Sequence, residues 1–263
     1  MEYEKWARSH SPFSILNQVA VRTTRSLLIG GAALVGACGF LPSRTTTRVG
    51  ADQLALASKP PPVGIEFEGC GEAGHEPDHG LNRRKNRVDE AEYLPTDWSV
   101  IAHLPWPHEV GYRFRSVWAG PETRAAAKYE GTALSVVGFV VAHRVAVPEP
   151  TNCYSAAAAH RDYHVVLAKT PDGEQKESIV TEITPRVRAQ HPRWTLERLD
   201  SLQRSGAPVR ISGWLLLDQM HPEHVGKNRI TLWEVHPVMR IEWRDAFMRW
   251  TSLDSAVALP VPR

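Results

Sequence analysis

The chain has 263 residues, enough for one large or two small domains with a buried core, and its 42% hydrophobic and 23% charged residues exclude a disordered, collagen-like or multi-span membrane protein. Its formal charge of +2 resides in the first stretch: residues 1–37 carry Lys5, Arg8, Arg22 and Arg25 against Glu2 and Glu4, which leaves the remainder neutral. A neutral remainder has no global field to gather a polyanion, so nucleic acid is not a favoured partner and would need a local basic patch.

Arg22 and Arg25 precede the apolar run Leu27–Ala37, which ends at Cys38. A basic region, a short apolar core and small residues before a cysteine are the marks of a secretory signal. The run is too short for a membrane span, which needs roughly 20 apolar residues. Val35-Gly36-Ala37-Cys38 also resembles the bacterial lipobox, which predicts cleavage before Cys38 and lipidation of that residue. The expectation is therefore an exported lipoprotein, in the periplasm or on the cell surface, with the membrane as partner through its anchor. Glu2, Glu4 and Trp6 do not suit such a leader, so translation is expected to begin at Val21.

With Cys38 lipidated, Cys70 and Cys153 remain. In an oxidising compartment they form either one disulfide or two free thiols. A bridge would close a long loop and contribute about 3–4 kcal/mol in the chain-entropy model. The organisation expected is a signal peptide with lipobox over 1–38, a tether over 39–64 (Thr45-Thr-Thr47 and Pro60-Pro-Pro62), and an irregular subdomain over 65–130. A barrel over 131–245 and a tail over 246–263 follow. Within the subdomain, 81–93 reads as a helix with Asn82, Lys85, Asn86 and Asp89 on one polar face.

The β signal begins after residue 131. Leu134–His143 is a β-branched run with a central Gly138, the mark of a strand that bends. Tyr163–Lys169 and Ser178–Thr184 read as strands joined across Pro171-Asp172-Gly173. Thr195–Arg204 reads as a helix capped by Thr195 and stopped by Gly206. Val209–Leu217 is a fourth strand, and Ile230–Glu242 a fifth, broken at Pro237. The fold class expected is mainly β: a five-stranded OB-like barrel with one helix between its third and fourth strands, preceded by the irregular subdomain.

Two dyads punctuate these strands, Asp162-x-His164 and Glu234-x-His236. A period of two puts each carboxylate on the face of its histidine, which suits a general base or a metal ligand. The four residues form one cluster if the strands face one site, whereas structural pairs at a barrel rim are the plainer account. His164, Glu234 and His236 are thus the candidate catalytic residues. Asp162, His164 and His236 are the candidate ligands of a divalent metal, the one cofactor the residues suggest.

Loop 218–229 holds His221, His224, Lys227 and Arg229, and with Arg186 these offer charges for a phosphate or carboxylate. His75-Glu-Pro-Asp-His79 has metal-capable types in no specific spacing, and Arg83-Arg-Lys-x-Arg87, flanked by acids, reads as a solvated helix face. Tyr163, Trp214 and Trp233 offer rings for stacking or for the core. No nucleophile elbow, phosphate loop or dinucleotide fingerprint stands in the chain.

Residues 81–87, Arg161–His164, Val180–Arg186, Ser212–Asp218 and Thr231-Leu-Trp-Glu-Val-His-Pro237 together resemble a group of bacterial exported proteins of unassigned function, over roughly 69–243. The resemblance implies export and an OB-like domain and brings no catalytic residues with it. Members often carry a second cysteine near the position of Cys153, where this chain has one. Beside a structural envelope lipoprotein with no small-molecule site, two functions compete. One is a membrane-anchored OB-type binding module, taking a small-molecule or protein ligand on the face of the second, third and fifth barrel strands and the loop after Leu217. The other is a phosphodiesterase- or nuclease-like hydrolase, metal-dependent or not, using His164 and His236 with Arg186 and Lys227 on the developing phosphate charge.

Overall fold

The computed structural model describes residues 50–57, 59–60, 66–255 and 257–259. The leader, Cys38 and the start at Val21 lie outside these residues. Seven strands form one mixed sheet: β1 (Leu94–Thr96), β2 (Ala133–Val145), β3 (Tyr163–Ala168), β4 (Ile179–Ile183), β5 (Val209–Leu217), β6 (Trp233–Arg244) and β7 (Trp250–Ser252). The order β2-β3-β4-β6-β5, closed by pairing of β5 back onto β2, makes a five-stranded barrel. All its ladders are antiparallel except β4–β6, which is parallel. Closure leaves the barrel without a free edge. β1 runs parallel to β2 outside the ring, and β7 extends β6.

The element order of the barrel, β-β-β-α-β-β, is the OB-like one read from the sequence. The intervening segment holds two helices, Pro185–Gln190 and Leu196–Ser205. The longer has its N-cap at Thr195 and ends at Gly206 with φ 58°, and it buries Leu199 and Leu202 against the core. β2 is long enough to serve two neighbours: its first half pairs with β5 up to Gly138, and its second half pairs with β3 from Phe139. The strand turns there because Gly138 has no side chain. A Cβ at that position would lie 2.6 Å from the carbonyl oxygen of Ala168.

β6 runs on through Pro237 rather than stopping at it. Proline lacks the N–H a ladder needs, and the β5–β6 register slips on either side of Gly213 to absorb this. Gly213 faces the disturbance, where a Cβ would meet the Pro237 oxygen at 2.3 Å.

Alternation along the strands divides the side chains into two sets. Val136, Val165, Leu167, Ile179, Ile183, Ile211 and Val235 belong to the apolar core. Residues of the opposite parity on β5, beginning with Arg210 paired to Glu242 and Ser212 paired to the exposed Arg240, look outward. Leu216 continues that outward row, and its ladder partner is Glu234.

Three expectations are corrected before the barrel. Within the expected tether, Ala51–Ala57 is a helix whose Leu54 is fully enclosed in the core, with Thr132 Oγ1 donating to the Leu54 carbonyl. The helix expected over 81–93 is the shorter His79–Lys85. Its polar side is turned inward: Asn82 and Asn86, one turn apart, donate to the carbonyls of Ala73, His75, Glu72 and Thr151. Buried amides are stable where such partners exist, and a sequence pattern does not reveal them. The basic patch is likewise no solvated face. Arg84 pairs with Glu130 at 2.8 Å, and Arg87, buried, lies 3.2 Å over the Trp214 ring and forks onto Asp89. Among the described residues, no helix is long and apolar enough to cross a membrane.

Candidate functional site: a roofed charged face on the barrel

Register alone assembles the site. Across β2, β3 and β4, Arg144 pairs with His164 and His164 with Glu182. In the parallel β4–β6 ladder Val180 pairs with Glu234, so the next residue on each same face, Glu182 and His236, also fall side by side. Asp162, immediately before β3, is held by its carbonyl, which accepts from Ala146 N at 2.8 Å, and by Asn152, whose Nδ2 donates to Oδ1 at 2.9 Å. Both sequence dyads therefore converge on one outward face of β3, β4 and β6.

This outward face is nonetheless buried. Residues 70–89 and 149–162 lie over it as a roof. Cys70 and Cys153 are joined by a disulfide with a Cα–Cα distance of 5.8 Å, and Arg186 donates to the carbonyls of Cys70 and Gly71. Lys85 reaches down from its helix to within 3.7 Å of Glu149. His236 and Glu234 are 0% exposed, and Glu182 is 2% exposed.

His236 stands among three carboxylates. Its Nδ1 donates to Glu234 Oε1 at 3.1 Å and lies 3.2 Å from Glu182 Oε2, while its Nε2 lies 3.5 Å from Asp162 Oδ2. Burial alone would push the imidazole down; the Glu182 charge and the hydrogen bonds to Glu182 and Glu234 outweigh it and hold the group up to about 10. Burial raises Asp162 to about 6, against the pull of His236. Glu182, equally enclosed, is held well below the usual carboxylate range because His164, His236 and Lys85 overcome the desolvation. Glu234 is raised by burial and by Glu182 and Asp218. Lys85 stays charged through its four acidic neighbours, Glu149, Glu182, Asp218 and Glu234. At the rim, Arg229 bridges Asp218 at 3.1 Å and Glu234 at 3.2 Å.

The proposed anion-reading set does not come together. Arg186 and Arg229 are buried on internal partners, and only Lys227 is exposed. His221 and His224 stack on one another 5.1 Å apart beside Glu223, on an exposed loop. The His75–His79 cluster is structural: Asp78 caps the helix through Leu81 N, and His79 bonds Ala73 O and Glu76. Trp214 and Trp233 are core residues, whereas Tyr163 carries Arg188 at 3.7 Å over its ring.

Sequence reasoning missed Glu182, Glu149, Lys85 and Asn152. Only Glu182 had a signal: a lone carboxylate in the β-branched run Ile179–Ile183. No family model, curated protein or solved structure matches this chain.

Proposed function

We propose that the chain is an exported, lipid-anchored binding module of OB type, whose occupant sits on the β3–β4–β6 face. The reading is supported by one observation above all: the most charged face of the barrel is closed over by the chain's own residues and pinned there by a disulfide. A general acid or base must come within hydrogen-bond reach of its substrate. His236 is enclosed on every side, so a phosphodiester does not approach it, which weighs against the hydrolase with His164 and His236 as its acid and base. Strands 2 and 3 of OB-folds carry oligonucleotides and oligosaccharides on this face. The resemblance to exported bacterial proteins, the leader and Cys38 support the location.

The test has two arms. Mass spectrometry of protein extracted from membranes should find a lipid-modified N-terminal cysteine, and Cys38→Ser should release the chain into the soluble fraction. Purified protein should leave phosphodiester substrates intact. Turnover that disappears in His164→Gln would replace this reading with the hydrolase.

A further inference from the structure

We propose that Asp162, Glu182 and His236 hold one divalent transition-metal ion, Zn²⁺ or Mn²⁺, beneath the roof. The inference deepens the binding reading by naming the occupant of its face. One ligand atom from each residue lies within 4.8 Å of the other two, and all three residues are buried. Two polar atoms that face each other in this pocket, Asp162 Oδ2 and His236 Nε2, make no hydrogen bond among the described residues. Buried polar groups ordinarily find partners, so a facing pair without one calls for an explanation.

The geometry supplies one. Nε2 and Asp162 Oδ2 stand 3.5 Å apart, beyond a normal N–H···O bond of about 2.7–3.2 Å. Two ligands bound at about 2.1 Å to a tetrahedral ion are separated by about 3.4 Å, close to this spacing. Nδ1 is already committed to Glu234 Oε1, which directs Nε2 at the ion and reproduces the carboxylate–histidine–metal arrangement that orients imidazole ligands. Asn152 does the same for Asp162 by occupying its other oxygen. One imidazole nitrogen and two carboxylate oxygens suit Zn²⁺ or Mn²⁺ and lack the soft sulfur that would select copper(I).

On binding, the ion takes the place of the Nε2 proton, which leaves to solvent.

The full mature chain, purified without chelator from an oxidising compartment, should carry about one zinc or manganese per molecule by inductively coupled plasma mass spectrometry. Asp162→Asn and His236→Gln should lose it, and His224→Gln, in the exposed loop cluster, should keep it. Metal that follows His224 instead would overturn the assignment. Should the buried variants fail to fold, the wild-type chain suffices. After chelation, added Zn²⁺ or Mn²⁺ should raise its unfolding midpoint in a concentration-dependent way. Nitrogen NMR showing both His236 nitrogens protonated in excess metal, with an unmoved midpoint, would mean that no ion binds. Metal-free protein that still cleaves no phosphodiester would overturn the ion and leave the binding reading standing. Metal-loaded protein that cleaves one would do the reverse.

Discussion

β4 and β6 as far as Met239 bury both of their faces, and the two faces are built on opposite principles. Inward, Val165, Leu167, Ile179, Ile183 and Val235 pack without a polar atom; outward, one residue along, Glu182, Glu234 and His236 are equally hidden but ionisable, with His164 half-buried beside them. The inner face is held by a non-directional force that scales with area, so shape is its main requirement. The outer face gains only if every charge keeps its partner, because an unpaired buried charge is far more costly than a lost methyl group. One strand thus tolerates conservative change on one side and little change on the other.

That contrast is sharpest at Arg229. Arg229→Met strands Asp218 and Glu234 and is expected to cost about 3–5 kcal/mol, seen as a lower urea midpoint. On the inner face Leu167→Ala should cost roughly 2–5 kcal/mol through its cavity, but Leu167→Met less than about 1.5. An equally conservative Glu182→Gln should be the more damaging of the two isosteric changes; equal midpoints would erase the distinction between the faces.

A third comparison uses acid. Glu130 is fully enclosed beside Arg115 and Arg84, with bonds of 2.5, 2.7 and 2.8 Å. Burial alone would raise its carboxyl, but the two guanidinium groups hold it below its ordinary value. A depressed folded-state pKa contributes stability above the unfolded value of about 4.3 and loses it as pH falls through the folded one. The stability gap between wild type and Glu130→Gln should therefore be full at pH 6 and shrink below about pH 4. The smallest effect belongs to the exposed pair Arg240–Glu90, 2.7 Å apart. Glu90→Gln should cost under about 1 kcal/mol and become silent in high salt.

The barrel was legible because its signals are local: β-branched runs, Pro171-Asp172-Gly173, the Thr195 cap and Gly206 each act within a few residues. The two dyads were legible for the same reason, since a period of two needs no knowledge of the partner strand. Their meeting depended on the parallel β4–β6 register, and Lys85, Glu149 and Asn152 arrive from segments with no regular pattern. Asn82, Asn86 and Lys85 read as a wet helix face, because composition gives a residue's polarity but not whether carbonyls wait for it across the fold. Leu54 was lost in a stretch that looks like linker for the same reason: its pocket is made by residues far along the chain.

The bridge between Cys70 and Cys153, 83 positions apart, has a consequence for timing. It ties the segment over the charged face to the loop just before β3, and such bonds persist only where thiols are oxidised. In a reducing compartment the barrel still has its apolar core, but its cover depends on non-covalent contacts alone. Oxidation of this one pair therefore sets when the cover over the charged face becomes fixed.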